Sequence, residues 1–92
     1  MRYTWAPEKN RRNKLKHRIS FEDAITIFDE MTIDQIDDRI DDGEERINAI
    51  GLLGTKAVVV TYVEKSEHER RIVSARAATY EEARQIFIAR SL

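Results

Sequence analysis

The amino-acid sequence predicts one α+β domain over residues 1–92, with two N-terminal helices, a four-stranded antiparallel meander and a C-terminal helix. Helical spacing of apolar residues is confined to the two ends of the chain, whereas strand-like runs fill the middle. Helices that are separated in sequence from consecutive antiparallel strands are typical of two-layer α+β domains. A chain of 92 residues has room for one hydrophobic core and little more.

The N-terminal third predicts two helices after a short extended segment at Tyr3–Trp5. Pro7 suits the first turn of a helix, where its missing N–H costs nothing, and we expect this helix to end near His17. Ser20 then offers a cap for a second helix, with Asp23 three residues later as a weaker capping box. The second helix has one apolar face, formed at i, i+3, i+4 and i+7 by Phe21, Ala24, Ile25 and Phe28.

The segment from Thr32 to Gly43 is ambiguous. Its isoleucines have near-helical spacing, but the aspartates between them disfavour a helix. We favour an edge strand over Ile33–Asp38 and a turn through Asp41–Gly43.

The second half of the chain predicts three further strands and a helix. Glu45–Gly51 alternates as a strand, and residues 57–63 form a continuous β-branched run typical of a central strand buried on both faces. A polar loop over residues 65–68 leads into a last strand over 70–75. Thr79 and Glu82 then form a capping box that predicts the C-terminal helix.

Charge is strongly polarised along this chain of net charge −1. Residues 2–18 carry seven bases and one acid, and residues 19–45 carry eleven acids and one base. The predicted first helix has almost no apolar face, which is typical of an exposed or contact-making helix. A solvated face is the alternative, and a localised anion-binding patch is the functional interpretation.

Several classes of function are excluded or disfavoured. The chain has no cysteine, so disulfides and thiolate metal sites are excluded. It also lacks a Gly-rich phosphate loop and a G-x-S-x-G elbow. The aspartates between Asp34 and Asp42 match no calcium-loop pattern, and we expect neither a metal nor a cofactor. The absence of a signal peptide or long apolar run predicts a cytoplasmic protein.

A set of basic side chains from several elements remains as the candidate site. Guanidinium groups can grip phosphate and stabilise the charge that develops during phosphoryl transfer. His17 is the only group of this region suited to proton transfer near neutral pH, although the helix dipole alone would favour a histidine there. Arg71 and Arg76 are five residues apart, so both can serve one site only if a bulge intervenes or Arg76 lies past the strand end. Tyr62 is more simply a core residue, and Trp5 a lid on the core.

A longer pattern of residues resembles a known family. The spacing W-x3-K-x3-N-x2-K-H-x2-S-F runs from Trp5 to Phe21, G-E-E-R ends at Arg46, and R-I-V-S-A-R-x-A-T runs from Arg71 to Thr79. This combination resembles the BrnT toxins, which are bacterial ribonucleases of type II toxin–antitoxin modules with a fold similar to RelE toxins.

The resemblance implies metal-independent RNA cleavage, in which the ribose 2′-hydroxyl attacks the adjacent phosphate. It implies Arg46, Arg71 and Arg76 as phosphate clamps. Lys16 would be a positioning charge, and His17 or Glu45 the proton-transfer group. The further RNA-binding candidates are Lys9, Arg12, Lys14 and Tyr62.

The resemblance also implies a partner, an antitoxin similar to BrnA with a ribbon-helix-helix fold, in an assembly of two toxins and two antitoxins. DNA would be contacted only through that antitoxin. Two alternatives stay open, namely a non-catalytic module that binds RNA or an acidic protein, and a degenerate toxin kept as a scaffold in a repressor complex.

Overall fold

The computed structural model describes residues 1–41 and 43–92, and at Ile40 and Asp41 it describes the backbone only. The elements in chain order are β1 (Arg2–Thr4), α1 (Pro7–His17), α2 (Phe21–Ala24) with a following 3₁₀ turn (Ile25–Asp29), β2 (Ile33–Asp41), β3 (Glu44–Leu53), β4 (Lys56–Ser66), β5 (Glu69–Ala77) and α3 (Tyr80–Arg90).

In the part of the chain that the structure describes, the sheet has five strands in the order β1-β5-β4-β3-β2. Strands β2 to β5 form the predicted antiparallel meander, but β1 adds a fifth strand that pairs in parallel with β5. The prediction of a purely antiparallel four-stranded sheet was therefore wrong. Three residues are too few to show strand alternation, and β1 is held partly by the Arg2 guanidinium, 2.6 Å from a carboxylate oxygen of Glu69.

The second predicted helix is present but short. The Ser20 hydroxyl caps it by accepting a hydrogen bond from the Asp23 N–H at 3.1 Å. After one α-helical turn the chain tightens into the 3₁₀ turn. The three consecutive β-branched residues at 25–27 have low helix propensity, which explains why the α-helix does not continue.

The meander strands are longer than predicted. β2 extends to Asp41 instead of Asp38, with a register shift between Ile36 and Ile40. The predicted turn through Asp41–Gly43 lies partly outside the described residues, because Asp42 is not among them. The central strand is confirmed, since Ala57 to Val63 are all buried.

Helices cover both faces of the sheet, so the domain has three layers and not the predicted two. On one face Val58, Val60 and Tyr62 of β4 pack in a cluster with α2 and the 3₁₀ turn. On the other face Val59 of β4 packs with Ile86 of α3. We call these the α1/α2 face and the α3 face. A central strand whose residues are buried on both faces requires such double cover.

The C-terminal helix begins with the predicted capping box. The Thr79 hydroxyl accepts from the Glu82 N–H, and the Glu82 carboxylate accepts from the Thr79 N–H. Within the described residues, no helix is long and apolar enough to cross a membrane.

Candidate active site

Helix α1 lies along the free edge of β5. Strand β1 covers this edge only at residues 69–71, and α1 packs against the strand beyond that point. Asn13, only 8% exposed, joins the two elements. Its side-chain amide donates to the carbonyl oxygens of Ala75 at 2.8 Å and Ile19 at 2.9 Å, and its Oδ1 accepts from the Ala75 N–H at 3.1 Å.

A cationic cleft of about 230 Å³ opens between α1 and the β5 edge. Val73 and Ser74 of β5 line its strand side, and Asn13 of α1 is a further lining residue. Its helix side is formed by residues spaced three or four apart, which share one helical face. Those basic residues are Lys9, Arg12, Lys16 and His17. The structure therefore brings together four of the residues that the sequence predicted for the site.

The charges of this cleft are only partly neutralised. The Arg12 Nε lies 3.4 Å from a Glu8 carboxylate oxygen. Lys9 and Lys16 form no ion pair with any carboxylate in the described part of the chain. Two ammonium groups beside a half-buried imidazole make the cleft attractive to a phosphate.

Lys14 does not belong to this cleft. It lines two other cavities on the far side of α1, together with Arg11. Helical geometry explains the separation, because position 14 lies about 140° around the helix from the mean direction of positions 9, 12, 16 and 17. The charge run of α1 thus divides into two faces, which no count of basic residues could show.

Arg71 adjoins the cleft through a second cavity of about 230 Å³, which it lines with Lys9, Ala6 and Ile72. In β5 the register against β4 shifts between Thr61 and Tyr62, so that Ser74 faces Thr61 and Ile72 faces Tyr62. The extra residue is Val73. The sequence analysis required either such a bulge or a shorter strand for the two arginines to share a site. The bulge is present, and it places Arg71 and Arg76 on the α3 face together.

The two arginines have different carboxylate partners. Arg71 lies 2.5 Å from Oε1 of Glu44, whose other oxygen is 2.5 Å from Lys65 Nζ. Hydrogen bonds from Lys65 and Arg71 lower the pKa of Glu44. Arg76 makes two hydrogen bonds with Glu82, at 2.8 and 2.9 Å. Arg76 therefore braces the start of α3, and Glu44 is a charged group beside the cleft that the sequence analysis missed.

Arg46 and Glu45 lie on opposite faces of β3. Glu45 shares the α1/α2 face with Ile47 and Ala49, whereas Arg46 shares the α3 face with Asn48. Arg46 is thus on the face of Arg71 and Arg76. Glu45 is exposed on the opposite side of the sheet, and the structure does not bring it to His17.

Tyr62 is also remote from the cleft. It is 1% exposed on the α1/α2 face, where its hydroxyl donates to an Asp34 carboxylate oxygen at 2.6 Å. The Arg70 guanidinium lies 4.5 Å from the centre of its ring. Burial, followed by the contact with Asp34, raises the pKa of Tyr62. The structure supports the simpler interpretation of Tyr62 as a core residue, and not its prediction as an RNA contact.

The aspartates of β2 are engaged in local contacts. Asp37 accepts from Arg39 at 2.9 Å and from the Asn48 amide at 3.2 Å, and these hydrogen bonds, the Arg39 one foremost, lower its pKa. The Asn48 oxygen in turn accepts from Thr61 at 2.7 Å. Among the residues that the structure describes, no three histidine or acidic side chains are grouped as metal ligands would be.

A three-layer α+β fold with a cationic cleft at the free edge of its sheet defines a small domain suited to binding a polyanion. A family model described as "Ribonuclease toxin, BrnT, of type II toxin-antitoxin system" matches residues 5–82. The chain therefore belongs to the BrnT family of ribonuclease toxins. Toxins of this class have RNA as substrate and an antitoxin as partner.

A solved structure supports the same fold. The chain resembles the 1.1 Å crystal structure of the ribonuclease toxin BrnT from Brucella abortus, with a TM-score of 0.66 and 23% sequence identity. The match covers 86% of this chain and 97% of that chain. No curated protein matches the sequence significantly.

Proposed function

We propose that this chain cleaves RNA without a metal, with the scissile phosphate held in the cleft between α1 and β5. The observation that carries the proposal is the convergence of Lys9, Lys16 and His17 on one face of α1, opposite the β5 edge. The two lysines thus share one cleft with His17, which is half-buried. A phosphodiester in this position would meet both charge and a group able to move a proton.

The proposed step is a transesterification. The ribose 2′-oxygen loses its proton to a base and forms a bond to the adjacent phosphorus. The bond from phosphorus to the 5′-oxygen breaks, and that oxygen gains a proton. The products are a 2′,3′-cyclic phosphate and a free 5′-hydroxyl, and no other reactant is required.

His17 is the proton-transfer group in this proposal. Imidazole is the usual acid–base group of proteins at neutral pH, and the sequence alternative, Glu45, lies on β3, which β4 separates from the β5 edge. Lys9, Arg12 and Lys16 neutralise the phosphate, and Arg71 approaches it from the strand side. Arg46, which shares the face of Arg71, would bind a flanking phosphate, whereas Arg76 would support the site through its ion pair with Glu82.

The antitoxin that neutralises the chain is, in this proposal, a BrnA-like ribbon-helix-helix protein in a two-plus-two assembly. The polarised charge supports a charged partner, since α1 is basic and residues 19–45 are strongly acidic. RNA as substrate is the reason to place the reaction in the cytoplasm. Co-expression with the protein encoded beside the toxin, followed by light scattering of the complex, tests the stoichiometry.

The cleavage test uses purified protein and a labelled single-stranded RNA in EDTA. We expect products with cyclic-phosphate and 5′-hydroxyl ends, and a loss of about 10²-fold in rate for His17→Gln, as removal of a general acid or base produces. Lys56→Met, at the exposed first residue of β4, is the control and should keep the wild-type rate. Cleavage abolished by EDTA, or equal rates for His17→Gln and wild type, would reject the mechanism. Salt-sensitive binding without products would favour a non-catalytic scaffold.

A further inference from the structure

We propose that Asn13 is a positioning residue that sets the register of α1 on β5 and thereby fixes the positions of the basic side chains in the cationic cleft. This inference rests on the proposed function, because the purpose of the register is to place His17 and the lysines against the scissile phosphate. Asn13 itself touches no substrate in this account. Its carboxamide acts on the protein backbone at three points.

The contacts of Asn13 replace a missing strand. A residue at a sheet edge carries an unpaired N–H and an unpaired C=O, and a neighbouring strand would normally satisfy both. Beyond Arg71, no strand among the described residues pairs with the outer side of β5. The Asn13 amide satisfies both groups of Ala75, with Oδ1 accepting at 3.1 Å and Nδ2 donating at 2.8 Å.

The second Nδ2 bond ties the end of the helix to the same point. The Ile19 carbonyl accepts it at 2.9 Å, just after Arg18 turns the chain in a left-handed conformation at φ 60°. One side chain therefore joins the middle of α1, the turn that ends it and the strand edge. The three contacts use both N–H donors of the amide and its carbonyl oxygen, so they fix the amide in one orientation.

The contacts of Asn13 with β5 also fix the positions of the cleft residues, because Asn13 lies among them on the helix. Lys9 lies four residues before it, and Lys16 and His17 lie three and four residues after it, so all share the anchored face. Any rotation or sliding of α1 along β5 would move these groups relative to Ser74 and Arg71 together. Proton transfer depends steeply on distance, whereas attraction of cations for phosphate does not.

The test compares Asn13→Ala and Asn13→Asp with a control from the other cluster of the core. Ile86→Ala removes a buried side chain of α3 and should destabilise the fold without touching the α1–β5 contact. We expect Asn13→Ala to lower kcat by roughly 10- to 100-fold, while RNA affinity and its salt dependence change by less than about threefold. Ile86→Ala should keep kcat, measured at a temperature where it is folded.

Asn13→Asp adds a second measurement, the pH dependence of the cleavage rate relative to wild type, which general destabilisation of the fold would not change. An ionised carboxylate would face two carbonyl oxygens, so its neutral form, which can donate one O–H, is favoured. We expect the ratio of the Asn13→Asp rate to the wild-type rate to rise as pH falls, whereas the ratio for Ile86→Ala stays flat. A flat ratio for Asn13→Asp contradicts the proposal, as does a folded Asn13→Ala variant with wild-type kcat.

Amide hydrogen exchange on the unmodified protein separates this inference from the proposed function. The Ala75 N–H should be protected to the level of the sheet interior even if the protein cuts no RNA. Asn13→Ala should lose that protection at Ala75 while keeping it at Val60, the cross-strand partner of Ala75. Rapid exchange of Ala75 in the wild type would overturn the anchor itself.

Discussion

Arg71 and Arg76 lie on the same face of the sheet although they are five residues apart in β5. The bulge at Val73 produces this arrangement, because Arg71 faces Val63 of β4 and Arg76 faces Val59. Only Arg71 lies beside the cleft. Arg76 extends towards α3, where Glu82 holds it with two hydrogen bonds. One strand thus supplies an arginine to the candidate site and another to the structure around it.

Lysines on the two sides of α1 should contribute unequally to RNA binding. Lys9→Met, Lys14→Met and Lys16→Met each remove one charge from the same helix. We expect the changes at Lys9 and Lys16 to reduce the slope of log affinity against log salt by about 0.7 each, the value for one phosphate contact on a single strand. Lys14→Met should leave the slope unchanged. Fluorescence anisotropy in a salt series measures this slope. Equal effects of all three substitutions would mean that RNA is attracted by the total charge of α1 and not by one of its faces.

The ion pair between Arg76 and Glu82 should make stability depend on acid pH. The hydrogen bonds from Arg76 lower the pKa of Glu82 from 4.5 to about 2. A depressed carboxylate stabilises the fold fully above its unfolded pKa, and this stabilisation is lost as pH falls from 4.5 towards 2. Since both side chains are partly exposed, we expect Glu82→Gln to cost on the order of 1–2 kcal/mol at pH 7 and little at pH 2.

Urea denaturation at several pH values checks this dependence, with Glu81→Gln as the matched control on an exposed neighbour. A constant difference between Glu82→Gln and wild type from pH 7 to pH 2 would show that the ion pair does not contribute as stated.

Tyr62→Phe should affect stability but not RNA cleavage. The change removes the hydroxyl that donates to Asp34 at 2.6 Å and leaves the packing of the ring in place. We expect a loss of about 1–2 kcal/mol in the free energy of unfolding, as for other hydrogen bonds to charged groups. The cleavage rate should match the wild type at a temperature where both are folded. A large loss of rate would restore the RNA-contact role that the sequence predicted.

Gly51 should tolerate no side chain. A Cβ at this position would lie 2.9 Å from the Cβ of Ile27 and 3.2 Å from the Cγ2 of Thr32. We expect Gly51→Ala to destabilise the fold by about 1–3 kcal/mol, because β3 and the 3₁₀ turn must then move apart. Thermal or urea unfolding measures this, with Thr55→Ala in the exposed turn as control. Equal stability of the two variants would mean that the layers separate easily here.

Local signals predicted most of the fold, and long-range pairing explains what they missed. The caps at Ser20 and Thr79 and the apolar run of β4 were visible because each depends on residues close in sequence. The parallel pairing of β1 joins residues 67 apart, such as Arg2 and Glu69, and leaves no periodic pattern. The third layer was not predicted, although the predicted burial of β4 on both faces requires cover on both sides of the sheet.

The basic residues that line the candidate cleft were all named from the sequence, but their grouping was not. Helical spacing alone places Lys9, Arg12, Lys16 and His17 on one side of α1, but the sequence analysis grouped Lys14 with them. Tyr62 and Glu45 were assigned to the site, and Glu44 was missed. The face of the sheet on which each side chain lies depends on strand register, which the sequence does not show. The bulge at Val73 could not be read from R-I-V-S-A-R, since it is defined against β4.

The location of bound RNA is the most direct test of the account. A single-stranded RNA with 2′-O-methyl groups cannot supply the attacking hydroxyl, so it should bind without being cut. In a titration followed by two-dimensional NMR, we predict the largest shift changes at Lys9, Lys16, His17, Val73 and Ser74, with Arg71 at the margin. Changes centred instead on Glu45, Tyr62 or α3, with the α1–β5 cleft unaffected, would contradict the proposal that this cleft holds the scissile phosphate.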